Sequence, residues 1–195
     1  MLELAIYHAQ ELQNLYSRLI VKNKYKYSMY EPYIDYFLSI MGNDLERIQY
    51  VSIDEKSKRL TGFGDAKVNR THNFIEQLII LNFDEKGLFL KSKDFFLFID
   101  DLLNVRKYRK IIFSAISNNP ATKMYFKYLV EKYKIAKHSG HYTNHYLLRD
   151  GNYYDLDVFQ IFPDDFNAFL KKHNKIACFL DAITEKWKNK NAKRL

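Results

Sequence analysis

Cysteine, proline and glycine are scarce in this chain of 195 residues, which contains one cysteine, three prolines and six glycines. A single cysteine, Cys178, excludes an internal disulfide and any metal site built from several cysteines. It also fits a reducing compartment, so we expect a cytoplasmic protein. The small share of proline and glycine excludes a collagen-like or disordered chain.

Long apolar runs are missing as well. The longest continuous one, residues 78–81, is far shorter than the ~20 residues that span a bilayer. The first ten residues lack the basic region of a signal peptide and already contain His8 and Gln10. We therefore expect no secretion signal, no membrane-spanning segment and no membrane partner.

Aromatic and basic residues are abundant instead. Aromatic side chains make up 16% of the chain and hydrophobic residues 47%, which is enough for one substantial core. The formal net charge is +8, and the basic residues are spread along the chain. Scattered lysines are typical of a solvated surface, but the lysines and tyrosines interleaved over residues 22–30 also suit nucleic acid, by base stacking and phosphate contacts. Nucleic acid therefore stays an alternative partner.

The spacing of apolar residues changes period several times and predicts an α/β fold. A short strand at residues 3–7 precedes an amphipathic helix that begins at Ala9, and a second helix is predicted around residues 33–41. The later strands are predicted at 48–54, 59–68, 73–83, 111–116, 136–148 and 153–161, with helices beginning near 94, 120 and 163. Three consecutive strands favour a mixed sheet with helices on both faces.

The strand at 73–83 has the pattern of a central strand. Its continuous apolar run, residues 78–81, suits a strand that is covered on both faces. In the preceding strand, Gly62 and Gly64 leave two side chains missing from one face. That spacing predicts a bulge or a closely approaching backbone.

The order of these elements, together with several short motifs, resembles the GNAT superfamily of N-acetyltransferases. The resemblance covers roughly residues 2–162, and each motif by itself has low specificity. The most telling is the hairpin at residues 150–155, which is similar to the Asp-Gly-x-Tyr-x-Asp hairpin of the ribosomal-protein and small-molecule branch. The other similar segments are 4–6 with 11–12, 60–63, 75–80, and 119–121 with 124–125.

The resemblance implies a mixed, mostly antiparallel central sheet with helices on both faces. Residues 1–162 would form the acyltransferase domain, and residues 163–195 a C-terminal helical extension with a basic tail. The implied reaction is transfer of an acetyl or other acyl group from acetyl-CoA to the amine of a small molecule or a protein. The extension would cover the acceptor cleft or join two subunits of a homodimer.

Catalytic roles follow from the same resemblance. Glu76 would be the base, acting directly or through water, and a backbone N–H near Ile79 or Ile80 would polarise the thioester carbonyl. Tyr125 would protonate the departing thiolate.

The register of the helix is ambiguous by one residue, so the asparagine that contacts the cofactor and the residue that acts as the acid each have two candidates. Asn118 or Asn119 would contact the cofactor. Counting from Asn118 leads to Tyr125, whereas counting from Asn119 leads to Phe126, which has no proton to donate.

The phosphate-binding loop departs from the family pattern Gln/Arg-x-x-Gly-x-Gly/Ala. In residues 84–89 only Gly87 matches, and Asp84 and Glu85 place negative charge where the pyrophosphate would bind. Basic side chains can replace the missing amide donors. The residues available for this are Lys86, Lys91 and Lys93, with Ser92 capping the next helix.

Two functions therefore remain open: an N-acyltransferase, and a non-catalytic GNAT-fold binding or assembly protein that has lost CoA binding. The AT-rich composition suggests a phage or mobile-element setting for the second.

Three histidines near acidic residues raise the question of a metal site. Simple strand alternation places His141 and His145 on one face and His138 on the other. We therefore expect no metal.

Overall fold

The computed structural model describes residues 1–27, 46–83 and 93–173. The predicted second helix at 33–41, Lys86, Gly87, Lys91, Ser92 and Cys178 lie outside these ranges. Within them the chain forms seven strands and four α-helices. The strands are β1 (Leu2–Leu4), β2 (Arg47–Ile53), β3 (Leu60–Asn69), β4 (Phe74–Asn82), β5 (Ile111–Ile116), β6 (Lys137–Leu147) and β7 (Tyr153–Ile161). The helices are α1 (Ala9–Leu19), α2 (Lys93–Asp100), α3 (Pro120–Met124) and α4 (Pro163–Lys172).

All seven strands belong to one sheet with the order β1-β2-β3-β4-β5-β7-β6. The β4–β5 pair is parallel and every other neighbouring pair is antiparallel. This confirms the mixed, mostly antiparallel sheet, and β4 is its central strand as the apolar run predicted.

The two faces of the sheet are covered by different helices. On one face, α1 buries Leu12, Tyr16 and Leu19 against Val51 and Phe63. The i, i+4, i+7 spacing of these three α1 residues is the stripe that the sequence predicted. The opposite face packs against α2, α3 and α4 in a larger core, so the helices lie on both faces as expected.

The first strand is shorter than predicted. Only Leu2–Leu4 pairs with β2, and the chain then turns through a 3₁₀ segment, Ala5–His8. Ala5 is fully buried under α1, whereas the Tyr7 side chain is 73% exposed. β1 is an edge strand, and the chain leaves the sheet because α1 has to begin above the smaller core.

The sequence predicted a bulge or a close backbone neighbour for the pair Gly62 and Gly64, and the close neighbour at Gly64 is a side chain. A Cβ at this position would lie 2.7 Å from Cε1 of Phe98, which is fully buried on α2. The bulge in this hairpin lies between Ser52 and Ile53, opposite the other glycine of the pair, Gly62. The missing side chain at Gly64 therefore lets α2 pack closely on the sheet.

Helices α2 and α3 both continue into wider turns. The Arg106 N–H donates to the Asp101 carbonyl and the Tyr133 N–H to the Tyr128 carbonyl, each across five residues. These turns span Asp101–Val105 and Tyr125–Lys132. The second of them carries Tyr125 at its first position, directly beside the sheet.

The predicted helix after residue 162 is present over Pro163–Lys172. Phe166 and Phe169 are buried in the larger core, where Phe169 stacks on Phe96 at 5.2 Å between ring centroids. This part of the predicted extension therefore packs on the same core as the preceding sheet. None of the described helices is both long and apolar enough to cross a bilayer.

Candidate functional site

Strands β4 and β5 separate soon after they meet. Their register contains the single pair Ile75–Ile111, and the Ile75 N–H donates to the Lys110 carbonyl at 3.0 Å. Beyond that pair the two strands flank a cavity, with residues 77–81 on one side and residues 113–115 on the other. The sheet is thus closed at one end of this seam and open at the other.

The register of β3 and β4 determines which amides point into the gap. The Phe83 N–H donates to the Thr61 carbonyl at 2.9 Å, and four residues earlier on β4 Ile79 pairs with Asp65 in the same ladder. Backbone groups alternate in direction along a strand, so the N–H of Ile79 points to β3. The N–H of Ile80 points to the gap. Of the two predicted amides, only Ile80 has the orientation for polarising a carbonyl there.

The cavity has a volume of about 60 Å³. This is several times the roughly 10–15 Å³ that a cavity needs to hold one water molecule, so it admits a small group such as an acetyl. Among the residues that the structure describes, the lining contains apolar residues and a few polar groups, with no carboxylate and no imidazole. The lining residues are Tyr27, Gln77, Leu78, Ile79, Ile80, Leu81, Phe95, Phe113, Ser114, Ala115, Asn119, Tyr125 and Leu129.

Tyr125 lines this cavity and Phe126 does not. The Tyr125 ring packs edge-on against Phe113 at 5.6 Å between centroids, whereas Phe126 packs against His138 at 4.8 Å. Burial raises the pKa of the Tyr125 hydroxyl to about 12. The phenol therefore keeps its proton at neutral pH and can donate it, which a general acid requires.

Of the two candidate asparagines, the structure brings Asn119 to the cavity. Asn118 is exposed and does not line it. The side-chain amide of Asn119 donates to the Tyr27 carbonyl at 3.5 Å, and the Thr122 N–H donates to the Asn119 carbonyl at 2.8 Å. Asn119 therefore joins the start of α3 to residue 27 at the rim of the cavity.

Glu76 lies at the closed end of the seam. The register shift opposite Lys67 and Val68 leaves it as the extra residue of β4, and it is not among the cavity-lining residues. Its carboxylate contacts the Lys67 ammonium at 2.7 Å and accepts from the Asn69 amide at 3.1 Å. These partners, Lys67 first, hold the pKa of Glu76 below its usual value. Glu76 is therefore not placed to contact a substrate in the cavity directly. Of the two predicted modes of action, only the one through water remains.

Of the predicted phosphate-binding residues, the structure describes only Lys93, because the others fall in residues 84–92. Lys93 is the first residue of α2, and its side chain is exposed. The structure gives it no position on the cavity lining.

Sequence reasoning missed three polar residues of the cavity, Tyr27, Gln77 and Ser114. Gln77 and Ser114 carried a usable signal, because each belongs to a strand that flanks the gap. Tyr27 carried none, since it comes from the segment that follows α1. Only the tertiary structure brings that segment to β5.

The histidine prediction was wrong in one respect. His138 pairs with Phe159 and His141 with Asp157, and a register shift after His138 supplies an extra residue between them. The two histidines therefore share a face, and each contacts the same Asp157 Oδ1 at 2.9 Å. Asp157 raises the pKa of His141. Across residues 1–27, 46–83 and 93–173, no group of three or more metal-ligating side chains could hold an ion.

Comparison with known proteins gave structural matches only. No model of a protein family matches the chain, and no curated protein matches its sequence. The fold is similar to that of the spermidine N-acetyltransferase of Vibrio cholerae crystallised with CoA and spermine. That match has a TM-score of 0.64 at 16% identity and covers 85% of this chain and 96% of that one.

Engineered forms of the same Vibrio cholerae enzyme, SpeG, give equivalent matches. A chimera with hSSAT has a TM-score of 0.64 at 18% identity, covering 85% of this chain and 98% of that one. A single-site mutant has a TM-score of 0.62 at 18% identity, covering 85% and 95%. At 16–18% identity, these matches show similarity of fold alone. The chain therefore has the GNAT fold, as the order of its elements and its motifs predicted.

Proposed function

We propose that this protein is an N-acyltransferase that transfers an acetyl group from acetyl-CoA to the amine of a small molecule. The observation that carries the proposal is the opening between β4 and β5. It places an inward-pointing N–H, on Ile80, and a protonated phenol, on Tyr125, around one small cavity. Amide and hydroxyl donors around a space of acetyl size fit a thioester carbonyl and its leaving sulfur.

When bound, acetyl-CoA supplies an activated acetyl thioester. The Ile80 N–H would donate to the carbonyl oxygen as negative charge develops on it. Tyr125, which is protonated at neutral pH, would give its hydroxyl proton to the departing sulfur. Asn119 would hold the carrier arm from the start of α3, and Lys93 would face its phosphates together with Lys86, Lys91 and Ser92.

Proton removal from the acceptor amine is assigned to Glu76 acting through water. Gln77, the next residue, lines the cavity, and water would have to connect the Glu76 carboxylate with the acceptor. The ion pair with Lys67 keeps Glu76 ionised, which makes it a weak but permanently available base. The acceptor class is supported by the similar fold of an enzyme crystallised with spermine.

The proposal is tested by calorimetry with acetyl-CoA, followed by thiol release with a panel of small primary amines. We expect micromolar binding that is lost in Gly87→Glu, because a third carboxylate would join Asp84 and Glu85 in the loop. Thr71→Glu is the matched control, since it adds the same single negative charge in the exposed β3–β4 turn. Absence of binding to acetyl-CoA and other acyl-CoAs would refute the proposal.

The second candidate is a GNAT-fold binding protein without catalysis. The acidic pair Asp84 and Glu85 in the phosphate loop favours it, because two carboxylates oppose a pyrophosphate. Replacing both by asparagine decides between the candidates. If the variant gains acyl-CoA affinity from an undetectable level, the natural protein is the non-catalytic form.

A further inference from the structure

The ammonium group of Lys26 is enclosed by one carboxylate and two tyrosines. It lies 3.1 Å from Asp150 Oδ2 and 3.4 Å from the Tyr154 hydroxyl. It also lies 4.7 Å from the ring centroid of Tyr27 and 5.5 Å from that of Tyr154. A carboxylate combined with aromatic rings is the chemistry that binds alkylammonium ions.

The walls of this cage are held in place without Lys26. The rings of Tyr27 and Tyr154 meet edge to face at 5.5 Å, and the Tyr154 hydroxyl donates to Asp150 at 2.7 Å. The Asn152 N–H donates to the other Asp150 oxygen at 3.1 Å. Gly151 has a φ of +78°, so the hairpin turn that presents Asp150 uses a backbone conformation that favours glycine.

The cage carries a full negative charge at neutral pH. Hydrogen bonds from Tyr154 and Asn152 hold the pKa of the Asp150 carboxyl well below its usual range. Asp150 in turn raises the pKa of Lys26. Without its lysine, the cage would be an anionic site faced by two electron-rich rings.

The cage adjoins the proposed active site. Tyr27 belongs to both, since it forms one cage wall and also lines the cavity between β4 and β5. The Asn119 amide holds the Tyr27 carbonyl, and the Tyr25 hydroxyl donates to the Phe83 carbonyl at 3.4 Å. Residues 25–27 therefore bridge from the end of β4 to the start of α3.

We propose that Tyr27, Asp150 and Tyr154 form an ammonium-binding site for the acceptor, and that Lys26 occupies it as an internal substitute until the acceptor displaces it. The inference rests on the proposed function, because it assigns a place for a cationic group of the amine substrate. It favours acceptors with a second ammonium group, one held in the cage while the other reaches the cavity.

Displacement of Lys26 is physically accessible. Its side chain is 25% exposed and that of Asp150 is 31% exposed, so a ligand reaches the cage from solvent. A tethered lysine competes with an effective concentration on the order of millimolar. Free alkylammonium ions therefore bind the natural protein weakly, and removal of the lysine ammonium unmasks the site.

The test is calorimetry with n-butylammonium in the absence of acetyl-CoA. We expect Lys26→Met to bind this ion at least ~10-fold more tightly than the natural protein, because the tethered competitor is gone. Adding Asp150→Asn to Lys26→Met should abolish the gain. Lys22→Met, an exposed lysine of the same segment, is the matched control and should bind like the natural protein.

Two results would overturn the site: equal affinity of the natural protein and Lys26→Met, or a gain that survives Asp150→Asn. 1-Butanol, a neutral ligand of the same shape, should not distinguish the variants. If circular dichroism shows that Lys26→Met is unfolded, Lys26→Gln repeats the comparison. Ammonium binding without acetyl transfer would refute the proposed function alone, and transfer without any effect of Lys26→Met would refute the cage alone.

Discussion

The two ends of the β4–β5 seam use the same pair of strands for different purposes. At the closed end, Ile75 and Ile111 are fully buried and paired, and the adjacent Glu76 is bound in an ion pair. At the open end, Ile80 is only partly buried, and its N–H points to a cavity that Tyr125 also lines. Strand pairing thus stabilises the end where β4 and β5 meet. Where the two strands separate, backbone donors such as the Ile80 N–H are left for a ligand.

The largest expected effect is on stability at the closed end. Ile75→Ala removes fully buried methyl groups and should lower the free energy of unfolding by about 2–5 kcal/mol. Ile80→Ala, at the open end, should cost no more than about half of that, because the side chain is only partly buried. Urea unfolding of both variants makes the measurement. Equal losses would break the distinction between the two ends.

Next in size is the loss of the phenol at the open end. Tyr125→Phe should lower kcat by about 100-fold, within the usual range for a general acid, and leave acetyl-CoA affinity unchanged. Tyr128→Phe, on the same helical segment but away from the cavity, is the control. Thiol release and calorimetry separate turnover from binding. Unchanged turnover of Tyr125→Phe would remove the assignment.

A smaller effect on turnover is expected at Glu76. Glu76→Gln should lower kcat by about 10-fold, because a base that acts through water contributes less than one in direct contact. A loss as large as that of Tyr125→Phe would mean that Glu76 reaches the acceptor directly and that the closed end also takes part in chemistry. The pH–rate profile of both variants makes the comparison.

Glu76 also has a stability signature. Its pKa is lowered in the folded protein, so its stabilising contribution is present above the unfolded pKa and is lost as the pH falls through the folded value. The free energy of unfolding of the natural protein should exceed that of Glu76→Gln by no more than about 1 kcal/mol at pH 7, as for a partly exposed ion pair. The urea midpoints of the natural protein and Glu76→Gln should converge at low pH. A difference that does not change with pH would contradict a stabilising ion pair.

The smallest effect is expected at the β6 edge, away from both ends of the seam. The pKa of His141 is raised in the folded protein by Asp157, so its contribution is complete below the unfolded pKa and is lost as the pH rises through the folded value. The thermal midpoint of His141→Gln should therefore lie furthest below that of the natural protein at pH values below about 6.5. Thermal midpoints from pH 5.5 to 8.5 test this, with His145→Gln as control.

Much of the fold was readable from periodicity. The stripe of α1 and the apolar run of β4 predicted their elements, because burial on one stripe or on both faces leaves a clear pattern. Edge behaviour was not readable in the same way. β1 ended early, and the bulge in β6 brought His138 and His141 to one aspartate, since strand alternation takes no account of an extra residue.

The candidate site divides along the same line. The sequence by itself determined the order of elements, the central place of β4, and Asn118, Asn119 and Tyr125 as candidates, and the structure selects Asn119 together with Tyr125, a pair that neither count along the helix gave. Only the tertiary structure decided that Ile80 and not Ile79 points to the gap, that Glu76 lies at the closed end, and that Lys26 reaches Asp150. Local patterns record burial and periodicity. The direction of an amide and the meeting of residues 124 positions apart depend on strand register and packing, which no short segment contains.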